Sequence, residues 1–101
     1  MAKKTPPYTI IDNREFRSSQ SRNLIRILKT TSGQKLSIRI KRDSYDFQSY
    51  ARIELWSDTE GKWNFVHSIP YVEMACVKSS FSGKMEEDAT ELLRMALLIV
   101  E

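Results

Sequence analysis

The sequence predicts an α+β fold, in which an antiparallel four-stranded β-meander carries a C-terminal α-helix packed on one face. Four segments rich in Ile, Leu and aromatic residues follow one another at hairpin spacing, which is typical of a meander. One segment near the C-terminus has apolar residues at helical spacing. The chain has 101 residues, a common length for one domain. We therefore expect a single α+β domain over residues 8–101, preceded by a flexible basic arm over residues 1–7.

The strands account for most of the domain. Residues 8–11 suit a short strand, and the polar, serine-containing residues 13–22 suit a loop. The four main strands are expected at residues 23–30, 35–42, 49–57 and 62–69.

The helical part follows these strands. Residues 71–77 fit either a short helix or an extended segment. Residues 84–100 are expected to form the main helix, because Glu86, Glu87 and Asp88 suit the positive end of a helix dipole and the apolar stripe behind them suits a buried face.

The first hairpin loop decides which side chains of the first two main strands share a face, because a slip of one residue moves every side chain to the other face. A two-residue loop at residues 32–33 fits the stereochemistry of its glycine. This register places Arg26 opposite Arg39, and it places Ile25 and Ile27 in the core.

The second hairpin allows two registers. A loop of residues 59–61, with its glycine beside a bulge, pairs Leu55 with Phe65 and puts both Trp63 and Phe65 in the core. This is the register we favour, because the glycine matches the stereochemistry of the bulge. A four-residue loop at residues 58–61 instead puts Trp63 and Phe65 on the opposite face.

If the helix covers the Ile/Leu face, the other face collects positive charge and aromatic rings. The cations and rings expected there are Arg26, Arg39, Lys41, Arg52, Tyr50 and Trp56. Cations that meet phosphates and rings that stack on bases are typical of surfaces that bind single-stranded nucleic acid. We therefore predict a small non-enzymatic binding protein for single-stranded nucleic acid, with Lys3 and Lys4 contributing from the arm. The order of strands and helix is similar, in architecture alone, to that of small single-stranded-DNA-binding coactivator modules.

The same pattern is also typical of a solvated sheet face, where Arg and Lys stems cover rings and keep their charged heads in water. The charge distribution is uneven, since residues 1–52 carry 12 Lys/Arg against 4 Asp/Glu and residues 53–101 carry 4 against 9. This asymmetry favours an anionic partner, which is either nucleic acid or an acidic protein surface.

The alternative function is a protein-interaction or inhibitor module, of the accessory type found in phages and mobile elements. Such a module would bind an acidic partner or a nucleic-acid-binding protein. Tyr45 and Phe47, in the loop between the second and third main strands, would be its interaction loop, because exposed loop aromatics often anchor interfaces. Alternatively, Tyr45 or Phe47 folds back and packs against the edge of the core.

No constellation of residues supports an enzyme, a metal site or a cofactor. One cysteine, Cys76, and one histidine, His67, cannot supply the four ligands of a zinc site. A single cysteine also excludes an internal disulfide, so a cytoplasmic location is expected. The longest apolar run is far shorter than a membrane span, so we expect no membrane partner.

The end of the predicted helix is apolar almost all round. Met95, Leu98 and Ile99 belong to a second apolar stripe that the sheet cannot cover. Either preceding segments of the chain or a second subunit covers this stripe, so a homodimer through the C-terminal helix is possible.

Overall fold

A computed structural model of the protein describes residues 8–79 and 84–100. Five antiparallel strands form one sheet in chain order, each paired with the next. They are β1 (Tyr8–Arg17), β2 (Ser21–Thr30), β3 (Lys35–Asp43), β4 (Tyr50–Ser57) and β5 (Lys62–Ile69). After β5 come a short helix α1 (Ala75–Lys78) and the main helix α2 (Met85–Val100). The α+β class and the C-terminal helix are confirmed, whereas the expected number of four strands is wrong by one.

The additional strand is β1, of which residues 8–11 were expected as a short strand and residues 13–17 as a loop. Its residues pair with β2 from Tyr8 to Arg17, with a bulge at Ile11. An edge strand has only one neighbour, and most of the β1 side chains are exposed. The segment therefore lacks the apolar alternation that marks a half-buried strand, although its backbone pairs with β2 from one end to the other.

The β2–β3 register differs by one residue from the predicted one, and Arg39 lies opposite Ile25. The loop has three residues, 31–33, because Thr30 N donates to Gln34 O over 2.8 Å. Gly33 has a φ of 91°, which suits the left-handed position that ends a three-residue hairpin loop. Ile25 therefore lies on the face away from the core.

The β4–β5 hairpin adopts the four-residue loop, so the favoured register is wrong near the turn. Ser57 pairs with Lys62, and Glu54 pairs with Phe65. A bulge then restores the predicted pairing of Ile53 with His67. The bulge thus lies inside the strand rather than at the turn.

The core lies between the sheet and α2, which packs on β3 and β4. Fully buried aliphatic side chains from β2, β3 and β4 meet those of α2. They include Leu24, Leu28, Leu36, Ile38, Ile40, Ile53 and Leu92. Within residues 8–79 and 84–100, no helix has the length and apolar character needed to cross a bilayer.

Asp88 in the first turn of α2 connects the two helices. Its side chain is buried, and its two carboxylate oxygens accept hydrogen bonds from Ala75 N (2.7 Å) and Cys76 N (3.1 Å). These amides begin α1 and have no partner inside that helix. Asp88 therefore caps α1 and holds it against α2.

Candidate nucleic-acid interface

We call the sheet surface that faces away from α2 the open face. Both helices lie on the other side of the sheet, against the aliphatic core. The described residues span only 21 Å along the shortest axis, which corresponds to one sheet and one helix layer. Within that part of the chain, no further layer covers the open face.

Three charged side chains occupy the centre of the open face. Arg39 on β3 lies directly opposite Arg52 on β4. Glu54 is next on β4, with its Oε1 atom 3.6 Å from Nη1 of Arg39 and its side chain 13% exposed. The Nε atoms of both arginines and Oε1 of Glu54 are buried without a hydrogen-bond partner among the described residues.

This cluster has a net positive charge and unused donors. Like charges directly opposite each other destabilise a strand pair, and a buried donor without an acceptor costs free energy. An anion bound between the two guanidinium groups would relieve the first of these costs, the repulsion of like charges.

Aromatic rings line the open face along β4 and β5. Trp56 and Trp63 are cross-strand partners, with ring centroids 5.4 Å apart and an angle of 66° between planes. Tyr50 lies under the Arg52 guanidinium, whose Cζ atom is 4.0 Å from the ring centroid. Phe65 is 61% exposed. These rings offer stacking surfaces beside the charged centre.

Further lysines lie on β2 and β3, beside this aromatic row. Lys29 pairs with Lys35, and Nζ of Lys35 is 5.7 Å from the Trp56 ring centroid. Lys41 pairs with Tyr50, and its Nζ atom lies 3.4 Å from Oδ2 of Asp43. The open face therefore has its cations mainly on β3, with Lys29 of β2 and Arg52 of β4 beside them, and its rings on β4 and β5.

The predicted placement of Arg26 on this face is wrong. Arg26 lies opposite Ile38, on the helix side of the sheet. Its Nη2 atom is 3.1 Å from Oε1 of Glu86, and its Nε atom donates to Oδ1 of Asn13 over 3.2 Å. The one-residue change in the β2–β3 register moves this side chain across the sheet and ties β2 to α2.

The structure brings together Arg39, Lys41, Arg52, Tyr50 and Trp56, as predicted from the sequence. Lys3 and Lys4, together with the proposed basic arm, lie outside the described residues. Sequence reasoning missed several residues of the open face, among them Lys29, Lys35, Trp63 and Phe65. The four-residue loop of the second hairpin was the signal that could have found Trp63 and Phe65. Of the two registers considered for that hairpin, only this one places both side chains on the open face.

Four of the five residues predicted for the interaction loop and the dimer contact are exposed, whereas Met95 packs against the core. Tyr45 and Phe47 are both exposed, with ring centroids 6.0 Å apart. Leu98 and Ile99 are exposed on α2, while Met95 is half-buried against the core. The interaction role and the homodimer themselves stay predictions.

Cys76 and His67 do not form a catalytic pair. Cys76 is fully buried, and desolvation, followed by its hydrogen bond with Asp88, raises the pKa of its thiol to about 12. The thiol is therefore protonated at neutral pH, which removes the thiolate needed for nucleophilic attack. His67 lies exposed on β5. Within residues 8–79 and 84–100, no group of three His, Cys, Asp or Glu side chains is placed to hold a metal ion.

Comparisons of the chain with protein-family models, with curated proteins and with solved structures found no match.

Proposed function

We propose that this protein is a non-enzymatic binding protein for single-stranded nucleic acid and that the open face is its binding surface. The observation that carries this proposal is the cross-strand pair of Arg39 and Arg52 beside three half-buried rings and the exposed ring of Phe65. Guanidinium groups match phosphate oxygens, and the neighbouring rings match base faces.

The division of the open face suggests how the strand lies. Phosphates over the cations of β3, with Lys29 of β2 and Arg52 of β4, would leave the bases over the rings of β4 and β5. Tyr50 and Trp56 are six positions apart on β4, which is about 20 Å along a strand. That length suits a short site of about four nucleotides.

The chemistry of the face favours a single strand over a duplex. In a duplex the base faces are already stacked on one another, so aromatic side chains cannot reach them without unpairing. Each ring that stacks on a free base stabilises a complex by about 1–3 kcal/mol. The cations alone would bind both forms, so the preference for a single strand depends on the rings.

Tryptophan fluorescence tests this function directly. The chain has two tryptophans, and both lie on the open face. We expect short single-stranded oligonucleotides to change the emission. We also expect log K to fall with log salt at a slope of about −2 to −3, for three or four phosphate contacts.

A duplex of the same sequence and inorganic polyphosphate serve as controls, because they carry phosphate charge without free bases. Both are expected to bind more weakly than the single strand. An absent response to single strands at low salt, or equal binding of polyphosphate, contradicts the proposal.

A second candidate is the protein-interaction module, which the exposure of Tyr45 and Phe47 favours. Two neighbouring exposed aromatic rings on a loop are a typical anchor for a partner protein. Under this function, oligonucleotides leave the tryptophan emission unchanged. A purified acidic partner then binds the protein, and Tyr45→Ala with Phe47→Ala abolishes that binding.

A further inference from the structure

A groove lies at the rim of the sheet, apart from the open face. It is a shallow, open depression of about 380 Å³ where the turn between β1 and β2 meets the residues that follow β3. Its lining includes Arg17, Arg22, Arg42, Ser18, Ser21 and Ser44. The volume is at the lower end of the range for small-ligand sites. We call this feature the rim groove.

The three arginines of the rim groove form one row across three adjacent strands. Arg17 lies opposite Arg22, and Arg22 lies opposite Arg42. The row lies on the helix side of the sheet. Arg22 and Arg42 are each two residues along their strand from the core residues Leu24 and Ile40, so their side chains share that face. The row therefore gathers three guanidinium-bearing side chains at one end of three adjacent strands.

The Arg42 guanidinium is held in a fixed position. Its Nε donates to Cys76 O over 3.2 Å, its Nη1 donates to Asp43 O, and its Nη2 lies 3.0 Å from Oδ1 of Asp46. The side chain is only 14% exposed. Asp46 offsets its charge, and the guanidinium is a fixed part of the groove lining.

The turn that supplies the other two arginines is also anchored. Ser18 N donates to Ser21 O over 2.9 Å, and the hydroxyl groups of these two serines are 2.6 Å apart. Ser44 N donates to Gln20 O over 2.8 Å, which ties the turn to the segment after β3. The arginines and serine hydroxyls thus converge on one place without requiring a loop to fold first.

The one carboxylate in the lining, Asp43, is engaged elsewhere. Its side chain is buried, with Oδ1 accepting from Tyr45 N over 2.9 Å and Oδ2 lying 3.4 Å from Nζ of Lys41. Three arginines and one carboxylate line the rim groove, and Asp46 pairs with Arg42 beside it.

We propose that the rim groove is a second site, which binds a phosphate group through the arginine row of β1, β2 and β3. Guanidinium groups match the geometry of phosphate oxygens, and the serine hydroxyls add neutral donors. The site lies on the opposite side of the sheet from the open face, so this inference does not rest on the proposed function.

Pyrophosphate is the probe for this site. In an amide NMR titration at constant ionic strength, we expect shifts confined to residues 17–22 and 42–44. Replacing both exposed arginines, in Arg17→Gln/Arg22→Gln, is expected to weaken this binding by at least ~10-fold. Arg17→Gln alone should show part of the loss.

The matched control is Lys78→Gln/Arg94→Gln, which removes the same charge from exposed positions on α1 and α2. It should leave pyrophosphate binding unchanged. Shifts spread over all surface cations, or equal losses in the two double variants, would overturn the proposal. So would the absence of any shift at millimolar pyrophosphate.

An oligonucleotide with and without a 5′-phosphate identifies the source of the bound group. Tighter binding of the phosphorylated form, lost in Arg17→Gln/Arg22→Gln, assigns the site to the end of a nucleic-acid strand. Competition by pyrophosphate without such a gain assigns it to a small phosphorylated ligand. If oligonucleotides do not bind the open face but pyrophosphate still shifts the amide signals of residues 17–22, the proposed function is wrong and the rim-groove proposal is supported.

Discussion

Replacing Arg39 and Arg52 with glutamine is expected to weaken the binding of single-stranded oligonucleotides by about 10- to 100-fold at low salt. These two side chains form the cross-strand pair at the centre of the open face. Two lost phosphate contacts should also reduce the salt slope by about 1.4. Fluorescence titrations at several salt concentrations measure both quantities.

Glutamine is a better replacement than alanine at these positions. Glu54 is largely buried beside Arg39, and removing every donor near a buried carboxylate is strongly destabilising. Glutamine keeps an amide donor and much of the packing stem, while it removes the charge. The variant is therefore expected to stay folded, as circular dichroism would show.

The control for this experiment is again Lys78→Gln/Arg94→Gln, which lowers the net charge equally on the helix side of the protein. Its oligonucleotide affinity should stay within about threefold of the parent protein, since distant charges act only through a screened field. Equal losses in the two double variants would show that binding follows net charge rather than a site. An unchanged affinity in Arg39→Gln/Arg52→Gln would exclude the centre of the open face.

Asp88→Ala is expected to lower the free energy of unfolding by about 2–4 kcal/mol. The substitution leaves the amides of Ala75 and Cys76 without acceptors, and both amides begin α1. It also removes the side chain that joins α1 to α2. Guanidinium denaturation followed by circular dichroism measures this loss.

Two other variants make the Asp88 experiment specific. Asp88→Asn keeps one carbonyl acceptor, so its loss should be about half as large. Glu87→Ala removes a neighbouring exposed carboxylate, which forms a surface ion pair with Lys84, and should cost less than about 0.5 kcal/mol. If Asp88→Ala costs no more than Glu87→Ala, the capping role assigned to Asp88 is wrong. Asp88→Asn should also bind oligonucleotides normally, because α1 lies on the other side of the sheet.

Local sequence patterns were sufficient to predict the helices and strands that have a clear hydrophobic period or clear terminal signals. The main helix was expected at residues 84–100 and spans Met85–Val100, because its acidic first turn and apolar stripe are both local signals. The last strand was expected at residues 62–69 and spans Lys62–Ile69. Within β3, and likewise within β4, the cations and rings were correctly placed on one face of the strand, since alternation within one strand does not depend on its neighbours.

The register between strands depended on the folded sheet. Leu24, Ile25, Ile27 and Leu28 are all apolar, so β2 presents an apolar row on each face and its sequence does not show which row is buried. Packing against α2 favours Leu24 and Leu28, and this choice moves Arg26 across the sheet. The same holds for β1, whose polar edge position leaves no apolar pattern to detect.

Short-range chemistry along this chain thus specifies its helix, its strands and the charged and aromatic side chains within each strand. Which of those side chains meet across strands depends on loop length and on the contact of β2 and β3 with the helix layer. These are long-range contacts, and a shift of one residue in them moves every side chain of a strand to the other face. For that reason the open face gained Trp63 and Phe65 and lost Arg26, and the arginine row of the rim groove became apparent only once three strands were aligned.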